Sequence, residues 1–359
     1  MELKRFLELE NMPDANRSME RIEAWFTQEM LDRAPIRFNI PDKRAGLPPK
    51  QYTSLKERWF DYEYIVEDLL CKLKGKRFIG ETFPMWFPNL GPGIYAAYYG
   101  TELVFQENTS YTVPNVTQAR AAQKLRFDCE NIYFRQIDKM MRYALERCQN
   151  RLLIGYPDLH PGMDCVADWL DPQELCFQLV DDPEGVEIAL EKAEADFEEI
   201  YNHYDSVLKA CGQPSFGWLH VPVYGRIHIP SCDFSAMVSP EVFQKFCLPP
   251  VIREMRTMTH NIWHLDGPGC ARHLDDLLEI EDIQAFQWVQ GAGSDAPVLQ
   301  WVPLIKKIQA SGKSVMVSMT QEEFEPFLDA VSPKGMFLCV DAPNEEVAEN
   351  MLRKIEKWI

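Results

Sequence analysis

Met19, Ile22, Trp25 and Phe26 fall at helical spacing, so the opening segment predicts an amphipathic helix that ends before Pro35. Residues 35–40 form a short apolar run of strand length. Residues 55–70 read as a helix, and RFIGETFPMWF as a strand near Phe78 that stops near Glu81. Residues 83–93 hold five prolines or glycines and three aromatics, which suits a substrate-side loop and not regular structure. A long helical stretch is predicted over 116–150. LLIGYPD (152–158) is an apolar strand, and further helices begin near Pro172 and run over 184–211. FGWLHVPVYGRIHIPSCDFSAMVSPEVF reads as a strand near Trp218 and then a long loop. Ser239 is the N-cap of the helix that follows and Pro240 its first residue. The last third is the most regular. NIWHLDGPG (261–269), IQAFQWVQGAG (283–293), KSVMVSM (313–319) and GMFLCVDAP (335–343) are strands, each leading into a helix-patterned segment.

Strands near Ile36, Phe78, Ile154, Trp218, Ile262, Phe286, Val315 and Phe337, each followed by helix, imply a parallel sheet. Eight such units predict an α/β fold, a (β/α)8 TIM-type barrel. The barrel would form one domain over 1–359, with residues 1–34 as an N-terminal helical extension and long loops at the mouth. A doubly wound open sheet is the alternative. No GxGxxG follows the first strand and no GxxxxGK[ST] occurs, so nucleotide-binding folds gain no support.

Composition narrows the partners. Hydrophobic residues make up 46% and charged residues 26%, which excludes wholesale disorder and a coiled coil. The net charge of −18 repels polyphosphates, so neither nucleic acid nor an anionic membrane is an expected partner. No run of 18 apolar residues occurs, and the first twenty residues lack the apolar core of a signal peptide. The expectation is a cytoplasmic protein whose ten scattered cysteines, without a CxxC pair, are reduced.

In a barrel the active site lies where strands end. That rule selects Glu81, Asp158, His160, Tyr224, Asp233, His264, Asp266, Trp288 and Cys339 as the mouth. His264 and Asp266 flank Leu265, so their side chains leave the strand on one side. With Cys339 at the end of the last strand they form a candidate metal set; the alternative is that Asp266 accepts hydrogen bonds from the turn at 267–269. Glu81, Asp158, His160 and Asp233 are the acid–base candidates. For Glu81 the competing reading is an ion pair with Lys76 or Arg77, and for Asp158 an Asx turn. Trp86, Tyr224 and Trp288 are candidates for an aromatic substrate wall, against plain core filling. The HLDGPG turn demands a glycine with positive φ, so Gly267 and Gly269 should resist substitution. GxSxG and HExxH are both missing, which leaves hydrolase templates without support.

NRSMERIEAWFTQEMLDRAPIRFN, SPEVFQKFCLPPV, WHLDGPG followed by LDDLLEIEDIQAFQW, and GMFLCVDAPNEEVAENMLRKI together resemble the uroporphyrinogen decarboxylase-like superfamily, in the right order and over nearly the whole chain. The resemblance implies a (β/α)8 barrel. The arginine-rich R-Q-A-G-R-Y-type segment of true decarboxylases is replaced here by FNIPDKRAGLPPK. The cobalamin-dependent methyltransferase branch therefore gives the better match. In its thiol-methylating members an H-x-C pair and a distant Cys bind Zn²⁺; His264 and Cys339 match, and Asp266 stands where Cys is expected. An oxygen ligand makes zinc harder and points away from thiols, toward a methylated substrate such as a methoxylated aromatic. The implied function is a corrinoid-dependent methyltransferase, the demethylase component that passes a methyl group to a cob(I)alamin carrier. The chain lacks a corrinoid-binding D-x-H-x-x-G, so a separate corrinoid protein would bring the cobalamin. A homodimer is compatible with the resemblance. A metal-free decarboxylase-like lyase and a non-catalytic binding barrel are the alternatives.

Overall fold

The computed structural model describes residues 7–358 except residue 43 and residues 292–296. Ten strands are present: β1 (Ile36–Asn39), β2 (Met85–Trp86), β3 (Glu102–Phe105), β4 (Ser110–Val113), β5 (Leu153–Ile154), β6 (Ile227–His228), β7 (His260–Asp266), β8 (Ala285–Val289), β9 (Ser314–Met319) and β10 (Met336–Asp341). Six of them form one curled parallel sheet in the order β1-β10-β9-β8-β7-β6. β9 and β10 are buried along most of their length, as strands covered on both faces must be. β2 and β5 make a separate parallel pair, and β3–β4 an antiparallel hairpin.

The closed ring of eight strands expected from the sequence is not formed among the described residues. The segments flanking β2 and β5 meet the neighbouring chain through isolated bonds. Glu81 N donates to Ile36 O at 2.7 Å and Tyr156 N to Phe216 O at 2.9 Å. The strand expected near Phe78 shrinks to an isolated bridge between Arg37 and Gly80, with β2 following at Met85. The strand expected near Trp218 is replaced by a turn, in which His220 N donates to Gly217 O. β6, nine residues later, pairs with β7 instead. The helix predicted over 116–150 is broken into a 3₁₀ turn, Ala119–Lys124, and the helix Ile132–Cys148. Asn131 makes the new start, its side chain accepting from Tyr133 N and Phe134 N. Ser239 caps the next predicted start, accepting from Val242 N.

The helix Ala15–Phe26 lays Met19, Ile22 and Trp25 against the sheet, and Trp25 Nε1 donates to Gly335 O at 2.9 Å. Beside it Glu81 is fully buried. Arg33 grips its carboxylate through two guanidinium nitrogens at 2.7 and 2.9 Å; Arg21, Ser18 Oγ and Ile36 N complete the shell. Both carboxylate oxygens are thus committed to joining this helix to β1. The structure gives Glu81, a catalytic candidate from the sequence, a role in holding this helix, and its ion-pair partners are Arg33 and Arg21 rather than Lys76 or Arg77. No helix of the described residues is long and apolar enough to cross a membrane.

Candidate functional site

β7 carries His264 and Asp266 to its C-terminal end on one side of the strand. The segment after β6 runs beside them, because His264 N donates to Pro230 O at 2.9 Å. It then turns into the 3₁₀ helix Asp233–Met237. The carboxylate of Asp164, on the helix Gly162–Leu170, pins that turn by accepting from Asp233 N and Phe234 N, each at 3.0 Å. Asp233 is thereby brought to His264 and Asp266, and one ligand atom from each of the three lies within 4.8 Å of the others.

The donor set, one imidazole and two carboxylates, fits a borderline divalent ion such as Zn²⁺, whose bonds of about 2.0–2.2 Å require only a small closure of the triad. His264 Nδ1 is bonded to Gln287 Oε1 on the neighbouring strand. That contact orients the ring and leaves Nε2 to serve as ligand. The Asp266 side chain makes no capping bond to the helix that begins at Gly267. Among the described residues the alternative in which it serves the turn therefore lacks a capping contact. Cys339 does not join the triad. It lies on β10, three strands from β7, and lines a different cavity.

A cavity of about 380 Å³ opens beside the triad, lined by His160, Asp164, Asp168 and Asp233 with Tyr111, Phe234 and Met237. Asp158 pairs with His160 Nε2 at 2.7 Å, and His160 Nδ1 lies 2.8 Å from Ser231 Oγ. Burial works against a charge on this imidazole. The carboxylates of Asp158, Asp164 and Asp233 outweigh it and raise the pKa to about 10. Asp168 is pushed up to about 6, first by burial and then by Asp164, although Thr112 Oγ1 donates to it at 2.7 Å. Asp233 is exposed at the rim, yet desolvation in the crowded mouth and the nearby Asp164 also raise it to about 6.

A larger cavity, about 820 Å³, lies at the ends of β1, β9 and β10 and is lined by Arg37, Asn39, His220, Ser318, Cys339 and Asp341 among others. Three of its rim cations are engaged in ion pairs: Arg44 and Lys76 share Asp42, and Arg77 pairs with Glu345. Burial raises the Cys339 thiol above its ordinary pKa, and only Arg37 opposes this. The smaller cavity is the better candidate site, since it shares Asp233 with the triad.

Three sequence candidates fall elsewhere. Trp288 is 1% exposed and packs against Trp301 with ring centroids 4.7 Å apart, so it fills the core. Tyr224 sits at the opposite end of the sheet, where its backbone N–H donates to Glu23, the residue that also pairs with His260 at the start of β7. Trp86 is half-buried on β2, packed on the core, and lines neither cavity. Asp164, Asp168 and Gln287 were not among the sequence candidates. The i, i+4 spacing of the two aspartates was the available signal, since it puts both on one helix face.

No family model matches the chain, and no curated protein matches it. Among solved structures it is similar to a methyltransferase from Methanosarcina mazei, with 10% sequence identity and a TM-score of 0.60. The alignment covers 95% of this chain and 98% of that one. At that identity the likeness is one of fold, extending over essentially the whole of both chains.

Proposed function

We propose that the protein moves a methyl group from a small O-methylated substrate, such as a methoxylated aromatic, to a cob(I)alamin carried by a separate corrinoid protein. The observation that carries this reading is the shared Asp233. It belongs both to a triad able to hold a divalent ion and to a cavity of ligand size. The resemblance in sequence and the shared fold of the archaeal methyltransferase support the same reading.

Cleaving a methyl ether is slow because an alkoxide or phenolate leaves poorly, so the departing oxygen needs a Lewis acid or a proton. A Zn²⁺ held by Asp233, His264 and Asp266 would supply the first. The charged His160 is the proton-holding group at the cavity, and Asp168 stands beside it as a carboxylate raised to about 6. Tyr111, Phe234 and Met237 give it an apolar wall suited to one aromatic ring.

The test is a methyl-transfer assay with cob(I)alamin against methoxylated aromatics, methylamines and thiols, run beside metal analysis. The expected outcome is turnover of a methoxylated compound and one zinc per chain, lost in His264→Ala and Asp233→Ala and kept in Cys339→Ser. Asp266→Cys should retain zinc, which accepts both oxygen and sulfur ligands, whereas Asp266→Ala should lose it. A metal-free chain without methyl transfer would sink the reading and return the lyase and the binding barrel to the front.

A further inference from the structure

A second group of titratable side chains lies in the wall between the mouth and the outer surface. Glu254, on the helix Leu248–Met255, is 4% exposed, and its Oε2 lies 3.3 Å from Nε2 of His228 at the end of β6. Its other oxygen, Oε1, is buried without a hydrogen-bond partner among the described residues. The same residue lines an outer cleft of about 520 Å³ with Glu194, Arg253 and Thr257. On the inner side, His228, Asp158 and Trp218 line a void of about 20 Å³. Trp218 Nε1 is also a buried donor without a partner among the described residues. Such a void has room for one water, which is stable where it finds two to four polar neighbours. From Asp158 the contacts continue to His160 at 2.7 Å, Ser231 Oγ at 2.8 Å and Asp164 on the cavity wall at 3.4 Å.

We propose that these groups form a proton relay through the wall, running from the outer cleft by Glu254, His228, one water anchored by Trp218, Asp158 and His160 to the mouth cavity. The proposal rests on the mouth being a site of methyl transfer, where a departing oxygen must gain a proton. His160, which lines the cavity, gives its Nδ1 proton to that oxygen. The imidazole keeps its other proton on Nε2. A half-turn of the ring then presents that proton to the mouth and the freed nitrogen to Asp158. Upstream, the Glu254 carboxyl protonates His228 Nε2 and His228 Nδ1 gives its proton to the water. The water passes one to Asp158, which hands it to His160. Solvent in the outer cleft restores Glu254, a half-turn resets His228, and one proton has crossed. The resting states agree with this direction. Burial raises Glu254 to about 8, so it stays protonated, and lowers His228 to about 3, so it stays neutral.

Three measurements decide it. A crystal structure of the full chain should show an ordered water within hydrogen-bond distance of Trp218 Nε1 and of Asp158 or His228; an empty void overturns the relay. In the methyl-transfer assay, Glu254→Gln and Trp218→Phe should each lower kcat about tenfold or more with KM unchanged and a larger solvent deuterium isotope effect, and Glu254→Asp should recover part of it. Unchanged kcat in folded variants overturns the relay. If the wild type turns over no O-methyl donor, the methyl-transfer reading falls by itself. The relay is then judged by NMR of the His228 ring nitrogens, which Trp218→Phe should shift through the lost water; unmoved resonances overturn it.

Discussion

Asp266 ends β7, and Gly267 turns the chain away from it at φ +76°. A Cβ at Gly267 would also stand 3.1 Å from Gly291 Cα. Gly267→Val should therefore cost about 1–3 kcal/mol, read as a lower denaturant midpoint, because a β-branched residue is strained in the left-handed region. Wild-type stability in that variant would refute the turn's strain. Gly269 is intolerant for another reason: its φ is ordinary, but an added Cβ would meet Ala236 Cβ at 2.8 Å. Glu254 supports a pH prediction. Its folded pKa of about 8 lies above the ordinary 4.5, so the stability it contributes is complete below 4.5 and lost as pH rises through 8. Across that window the wild type should lose stability relative to Glu254→Gln, measured as the gap between urea midpoints. Parallel profiles would place this carboxyl in water.

Elements differ in how far local pattern specifies them. His264 and Asp266 were legible because i, i+2 spacing within a strand is a local property. Their third partner was not. Asp233 reaches them through a 3₁₀ turn held by Asp164, a contact between residues 69 positions apart. Cys339 matched a spacing in the chain, and only the strand order places it three strands away. The last four strands of the sheet were read correctly, since each is a continuous apolar run followed by a helix start. The β3–β4 hairpin went unread. It follows an aromatic-rich, turn-rich segment, and four-residue strands give little periodicity. Glu81 shows that a strand-end carboxylate is ambiguous until its neighbours are known. As the anchor of the helix Ala15–Phe26 it should cost about 3–5 kcal/mol when changed to alanine, because the buried Arg33 guanidinium loses its counterion, while Arg21 keeps Asp32. Zinc content should stay at the wild-type level. Loss of metal with little loss of stability would return Glu81 to the active site.

At the scale of the molecule, the hydrophobic core is one continuous cluster from Leu9 to Ile355, into which the N-terminal helix is built. Trp25 is 1% exposed and meets Phe337 edge-on at 5.4 Å. Removing residues 1–34 should therefore abolish the cooperative thermal transition followed by circular dichroism, as no ordinary appendage would. A truncated chain melting like the full one would show the extension to be dispensable. The pairing of β1 with β10 has a further consequence, for the time course of synthesis. Ile36 sits opposite Leu338, so 338 − 36 = 302 residues separate partners in one ladder. At about 5–20 residues per second a ribosome needs roughly 15–60 s to make that interval. Throughout it β1 has an unsatisfied edge, and the face that will bury Trp25 is exposed. The nascent chain must be shielded from aggregation for that period, since the strand made first finds its neighbour in the strand made last.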